Sequence, residues 1–195
     1  VPIMGITPND KAIGCYGKMA EKSSGKDSTT GHWEIAGIIL DRPFPLFPSG
    51  FPSALVSEFE TRAGVRTIGN VAASGTEIIE RFGKEHIESG AVILYTSADS
   101  VFQLAAHEKV IPLNRLYEIC SVARELCTGE FGVGRVIARP FVGVPGSFVR
   151  TSGRKDFSVE PPRDTLLDLM VSNGMPTLAI GKIWDLFAKR GITHH

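Results

Sequence analysis

Charge of one sign is what this sequence most clearly lacks. Its 21 Lys plus Arg balance 21 Asp plus Glu, so it has no basic excess of the kind that holds a nucleic-acid duplex, and no nucleic-acid partner is expected. A local basic pocket for one anionic group stays open. Cysteine is scarce as well. Cys15, Cys120 and Cys127 are an odd, scattered set, which is no disulfide framework and carries no zinc spacing. Cys120 and Cys127 are seven apart on one helical pattern, as small packed groups would be. The expected compartment is the reducing cytoplasm. No apolar run approaches the roughly 20 residues that span a bilayer, and no basic-then-apolar leader opens the chain, so neither membrane nor secretion is expected. The chain also begins at Val1 rather than at methionine, which suggests a fragment.

What is present is an ordinary core-forming composition, 43% hydrophobic, and an alternation of helix and strand signals. Residues 15–22 suggest a strand, residues 23–31 a tight polar loop and residues 32–36 the start of a helix. Four prolines within residues 42–52 forbid helix and mark a first boundary. Ser53 caps a helix that Gly64 stops. Residues 66–70 suggest a short strand. Ser74 and Glu77 form a candidate capping box ahead of Ile78, Ile79 and Phe82. Residues 91–96 form a buried strand. Residues 101–106 suit a strand better than a helix. Leu113, Leu116, Cys120, Ala123 and Cys127 keep helical spacing after Pro112. Residues 133–141 and 148–150 are strand candidates, and Pro161-Pro162 marks a second boundary. Asp164 then caps a helix to Asn173, followed by a strand at 176–180 and a helix at 183–190. Met19 and Trp184 are expected in the core. The sequence thus predicts an α/β fold, with a central segment inserted between two flanks.

Four strings can carry chemistry. Ser23 to Glu34 sets hydroxyls beside Lys26 and Asp27 where a loop enters a helix, a place where backbone N–H groups favour an anion and a hydroxyl can accept a phosphoryl group. On composition alone, an ordinary Ser/Thr-capped helix start is the favoured reading of this string. Gly25-Lys26 lacks the spacing of a Walker loop. Tyr95-Thr96-Ser97-Ala98-Asp99-Ser100-Val101 puts polar groups after a buried strand, where Asp99 can meet sugar hydroxyls or simply close a turn. Arg135 and Arg139 share one face of an apolar strand and call for an anionic partner. With Arg150 and Arg154 they suggest a phosphate clamp, unless the strand is a solvent-facing edge. Gly181-Lys182, between a strand and a helix, can reach a phosphate or cap a turn. His86 and His107 have no ligand spacing and are expected to be structural or exposed. No metal is assigned to His194-His195.

Lys26 to Gly37, Tyr95 to Val101, Gly134-Arg135-Val136-Ile137-Ala138-Arg139-Pro140-Phe141 and Ile180-Gly181-Lys182-Ile183 together resemble the phosphopentomutase family, in order and spacing, over nearly the whole chain. The resemblance implies an alkaline-phosphatase-like α/β metalloenzyme core, incomplete here, made of residues 1–43 and 159–195. Residues 44–158 would form a mixed-sheet cap domain inserted into it. It implies a two-metal core, usually manganese, a bisphosphorylated sugar activator and a pentose phosphate substrate, with the phosphate moved between the 1 and 5 positions through a phosphoenzyme and a 1,5-bisphosphate. Ser28 matches the phosphoacceptor, which is threonine in the family and lies beside the metals, with Lys26 and Asp27 as its catalytic neighbours. Ser97, Asp99, Val101 and Ile137 match the ribose pocket, and Arg135, Arg150 and Lys182 the phosphate-contacting cations. The family's Asp and His metal ligands have no counterpart here, so this chain alone is expected to be inactive. The rival readings are another metal-dependent phosphomutase or phosphatase of that superfamily, and a non-catalytic sugar-phosphate-binding fragment.

Overall fold

The computed structural model describes Gly14 and residues 17–195. Its elements run α1 (Ser28–Ile35), α2 (Ser53–Ala63), β1 (Thr67–Ala72), α3 (Gly75–Ser89), β2 (Val92–Thr96), β3 (Val101–His107), α4 (Leu113–Leu126), β4 (Arg135–Val142), β5 (Val149–Arg150), β6 (Lys155–Ser158), α5 (Leu166–Ser172) and α6 (Ile183–Leu186). The six strands make one mixed sheet in the order β1-β2-β3-β4, with β5 and β6 both pairing with β4. β1 and β2 are parallel, as are β3 and β4. β2 meets β3 antiparallel, and β5 and β6 run antiparallel to β4. The fold is therefore α/β, as the alternating signals predict.

Side chains that alternate along each strand divide the core into two faces. On one, Leu94, Phe102, Leu104, Val136 and Ala138 pack with Leu55 and Phe59 of α2 and Leu116, Ile119 and Cys120 of α4. On the other, Ile93, Tyr95, Ala105 and Phe141 pack with Ile78 and Ile79 of α3. Helices on both faces explain why every residue of β2 and β3 is buried. Burial pushes the Cys127 thiol up to about 11 and the Cys120 thiol higher still, so both are packing groups rather than reactive ones. Cys15 lies outside the described residues. His86 is structural: its Nδ1 donates to the Ala91 carbonyl at 2.6 Å and its Nε2 accepts the His107 amide at 2.8 Å.

A third cluster joins Trp33, Ala36 and Ile38 to Leu186 and Phe187. The Trp33 indole N–H donates to the Leu186 carbonyl at 3.0 Å, so residues near the two ends of the described chain meet.

Several local expectations give way. Of the strand expected at 15–22, residues 15 and 16 lie outside the described residues, and residues 17–22 form no strand. The first helix starts at Ser28, not at His32, because the Asp27 carboxylate accepts the Thr29 and Thr30 amides at 2.9 and 3.1 Å. A hydroxyl-rich string taken for loop is the first turn of a capped helix. The cap of α5 is Thr165 rather than Asp164. Thr165 and Asp168 form a reciprocal capping box, and Asp164 pairs with Arg190 instead. The strand expected at 176–180 shrinks to one bridge, Leu178 to His194. α6 stops at Leu186, and Ala188 and Lys189 take positive φ values of 50° and 72°. Met19 is 92% exposed rather than core, and Trp184 is half-buried and stacked on His195 at 3.7 Å. β6, four residues of mixed polarity, carries too little pattern to be seen in advance. Its pairing places β4 inside the sheet, so the solvent-facing edge reading of Arg135 and Arg139 fails.

Candidate functional site

At one end of the sheet, on the α3 face, β1 and β2 finish while β3 and β4 begin. A cavity of about 300 Å³ opens there, lined by residues that include Ser28, Ser97, Asp99, Val101, Arg135, Ile137 and Lys182. Strand register explains the gathering. Val101 pairs with Arg135 and Gln103 with Ile137 across β3 and β4, while Tyr95 pairs with Gln103 across β2 and β3. Paired residues share a sheet face, so Tyr95, Gln103, Ile137 and, from β6, Asp156 form one row. Ser28 arrives from the first turn of α1 and Lys182 from the cap of α6.

Four cations line the cavity, Arg135, Arg139, Arg154 and Lys182, against one carboxylate, Asp99. Arg135 is only 6% exposed. Its guanidinium donates to Asp156 at 3.0 Å and lies 3.8 Å from Asp99. The same Asp156 accepts Arg154 Nε and Nη2, each at 2.8 Å, and that pairing raises the Arg154 pKa. The anionic partner that the strand arginines call for is, for Arg135, the internal carboxylate of Asp156. Arg139 does not share that arrangement, because its Nε donates to the neutral Gln103 amide at 3.2 Å. Burial disfavours its charge and lowers its pKa.

Ser97 Oγ accepts the Asp99 amide at 3.3 Å, which shapes the turn and leaves the Asp99 carboxylate facing Arg135. Ser28 lines the cavity, whereas Thr29 and Thr30 beside it are fully buried. Lys26 and Asp27 line an adjoining hollow of about 250 Å³ that shares Asp99. The Asp27 carboxylate also accepts the Thr30 hydroxyl at 2.7 Å, so its oxygens are engaged by the helix start. Arg150 is not in the cavity lining but lies behind its Gly75 wall: a Cβ built on Gly75 would stand 3.6 Å from Arg150 Nη1.

The sequence reading named Arg139 and Arg154 only as part of a clamp, and missed Gln103, Asp156, Ser74 and Gly75. One signal was available for Gln103, a lone amide in the apolar run of β3. Asp156 becomes visible only through the pairing of β6. Among the described residues, no group of three or more His, Cys, Asp or Glu side chains converges as a metal site would require, so these residues alone do not fit a two-metal centre. No helix among them is long and apolar enough to cross a membrane.

Fold and site together define an α/β protein with a hydroxyl-bearing, cation-lined pocket at a sheet end, chemistry suited to a small phosphorylated ligand. The phosphopentomutase of Caldanaerobacter subterraneus subsp. tengcongensis is 58% identical over 193 residues, 99% of this chain and 49% of the relative. That of Carboxydothermus hydrogenoformans is 59% identical over 194 residues, 100% of this chain and 50% of the relative. That of Thermotoga maritima is 57% identical over 195 residues, with 99% and 50% covered. No protein-family model matches the chain. Over nearly its whole length the chain is similar to these phosphopentomutases, and it spans about half the length of the curated relatives it matches.

Proposed function

We propose that this chain is part of a phosphopentomutase, an isomerase that interconverts ribose or deoxyribose 1-phosphate and 5-phosphate in the cytoplasm. The observation that carries the reading is the meeting of Ser28, Asp99, Arg135 and Lys182, distant in sequence, around one cavity. Ser28 is the phosphoacceptor. Its phosphoester passes the phosphoryl group to the 1-hydroxyl of ribose 5-phosphate: the bond from phosphorus to Ser28 Oγ breaks, one to the sugar oxygen forms, and the hydroxyl proton ends on the departing Ser28 Oγ. Return of the 5-phosphoryl group from the 1,5-bisphosphate remakes the Ser28 ester and releases the 1-phosphate. Asp99 and Ser97 hold the ribose hydroxyls, Val101 and Ile137 form its apolar wall, and Arg135, Arg150 and Lys182 hold the phosphate not in transit. Residues 44–158 act as the cap, and the flanks join the core.

In the complete enzyme two divalent metal ions, with manganese expected, and a bisphosphorylated sugar activator belong to this reading. The described residues offer Ser28 to such a metal site, and the remaining ligands would come from outside them. The lack of a converging ligand set here favours a second reading for this chain in isolation, a sugar-phosphate-binding segment without turnover. Other phosphomutases of the superfamily are less favoured, since the relatives compared bear one name.

Phosphopeptide mapping of the full-length protein after incubation with a bisphosphorylated pentose tests the acceptor. Phosphate on Ser28 is expected. Phosphate on Thr29 or Thr30, or turnover that survives Ser28→Ala, overturns the assignment.

A further inference from the structure

α6 carries Lys182 at its cap and stands between two parts of the molecule. On one side the Trp33 indole of α1 donates to the Leu186 carbonyl at 3.0 Å. On the other, α6 packs on β6. Among the described residues β6 pairs with β4 alone, so its far side is a sheet edge. Register decides which of its N–H groups face that edge. The Val159 amide donates to the Gly134 carbonyl at 3.1 Å, one step beyond the Arg135–Ser158 pair. Hydrogen-bonded and non-hydrogen-bonded pairs alternate along an antiparallel ladder. Asp156, opposite Ile137, therefore falls at a non-hydrogen-bonded pair. Its carboxylate meets Arg135 and Arg154, while its N–H points outward, away from β4. An N–H on a covered edge needs an acceptor. The Asp185 carboxylate of α6 faces it and supplies one. Asp185 is half-buried, and among the described residues no cation pairs with it. Burial pushes its pKa up and the Asp156 charge adds to this, while the Asp156 N–H pulls it down. The Lys182 carbonyl accepts the Asp185 and Leu186 amides at 3.1 and 3.0 Å, so this acid and the lysine belong to one turn.

We infer that Asp185 is a positioning residue: by accepting the Asp156 N–H it locks α6 to the edge of the sheet and fixes where Lys182 stands relative to Arg135 and Arg154 across the cavity. Asp156 is the common anchor. Its carboxylate holds the two arginines, and its backbone holds the turn that bears the lysine. One residue of β6 thus sets three of the four cations that line the pocket. The inference rests on the sugar-phosphate reading above, in which Lys182 holds the phosphate not in transit, and adds to it the residue that aims that lysine.

The test is steady-state kinetics of the full-length enzyme on ribose 5-phosphate, for the parent, Asp185→Asn, Asp185→Ala, Asp185→Glu, Lys182→Ala and the Lys182→Ala/Asp185→Ala double variant. Asparagine keeps an oxygen that can accept the N–H but drops the charge, and alanine drops both. Glutamate keeps the charge and moves the oxygens by a methylene. Asp185→Ala should raise KM about fivefold or more, the ratio that one hydrogen bond carries, with kcat less affected. Asp185→Asn should stay near the parent KM, and Asp185→Glu should rise towards the alanine value. In the Lys182→Ala background, Asp185→Ala should raise KM no further, because the lysine it aims is gone. Lower melting temperatures with parent KM in the alanine and glutamate variants would make Asp185 merely structural and overturn the inference. A KM that changes equally in Asp185→Asn and Asp185→Ala also overturns it, since the charge and not the hydrogen bond would then act. If Asp185→Ala does not fold, the glutamate and asparagine variants decide: parent KM in Asp185→Glu overturns the inference. Each of these results leaves the sugar-phosphate reading standing. A parent enzyme that does not turn over ribose 5-phosphate overturns both.

Discussion

Arg135 donates to Asp156 at 3.0 Å, and both side chains are less than a tenth exposed. The pair is asymmetric. Asp156 also holds Arg154 by two bonds, whereas the next carboxylate from Arg135 is Asp99 at 3.8 Å. Removing the acid therefore strands a buried guanidinium, while removing the guanidinium leaves the acid still paired. Asp156→Ala should cost about 3–5 kcal/mol of stability, the range for breaking a buried pair. Arg135→Ala should cost clearly less stability but weaken ribose 5-phosphate binding by one to two orders of magnitude, as loss of a charge-assisted bond implies. Urea unfolding of both variants, with a ligand titration of the second, gives the comparison. Equal unfolding free energies would contradict the asymmetry.

Asp27 can be a helix cap, a catalytic acid, or both. Its carboxylate accepts the Thr29 and Thr30 amides and the Thr30 hydroxyl. Asparagine caps about as well as aspartate, while alanine loses about 0.5–2 kcal/mol. Asp27→Asn should therefore unfold near the parent midpoint and Asp27→Ala below it. If the charge is needed in catalysis, the full-length Asp27→Asn enzyme will be stable but slow. Parent-like turnover in that variant would confine Asp27 to capping.

Asp99 is half-exposed at the rim of two adjoining hollows, and its side chain supports little core. Asp99→Ala in the full-length enzyme should lower turnover of ribose 5-phosphate without moving the melting temperature. A drop in melting temperature with unchanged specific activity would make the residue a structural partner of Arg135 instead.

What was legible in the sequence follows from how local each signal is. The α2 stop is visible because Gly64 adopts a left-handed φ of 63° at the helix end, the conformation that favours glycine. β2 and β3 are visible as apolar runs between turn residues. The start of α1 was misplaced because a string of Ser and Thr looks like loop until Asp27 is seen to cap it. Asp156 and Gln103 were missed for a different reason. Their place at the pocket depends on which strands pair and in what register, and that is a non-local fact. Ser28, Asp99, Arg135 and Lys182 each lie in a string that offers chemistry locally, but only the family resemblance joined them, since nothing local connects residues so far apart.

His86 ties α3 to the sheet and sets a pH limit on stability. Its Nδ1–H donates to Ala91, its Nε2 accepts from the His107 backbone, and its ring packs against Phe141. The bond from the His107 amide requires the neutral ring, since a protonated Nε2 cannot accept. Burial lowers its pKa; the Ala91 bond opposes that shift and the His107 charge adds to it. The folded pKa is thus below the unfolded value, near 6.5. This stability is fully present above about pH 6.5. It falls as pH drops below that value, because the unfolded chain then binds the proton more readily, and it levels off below the folded pKa. The slope from this one group has an upper limit of about 1.4 kcal/mol per pH unit, the value for one whole proton. Urea unfolding between pH 7.5 and 5 measures it. His86→Gln can keep a donor and an acceptor but cannot titrate, so it should be less stable at pH 7.5 and less sensitive to acid. An unchanged slope in His86→Gln would assign the acid sensitivity to other groups.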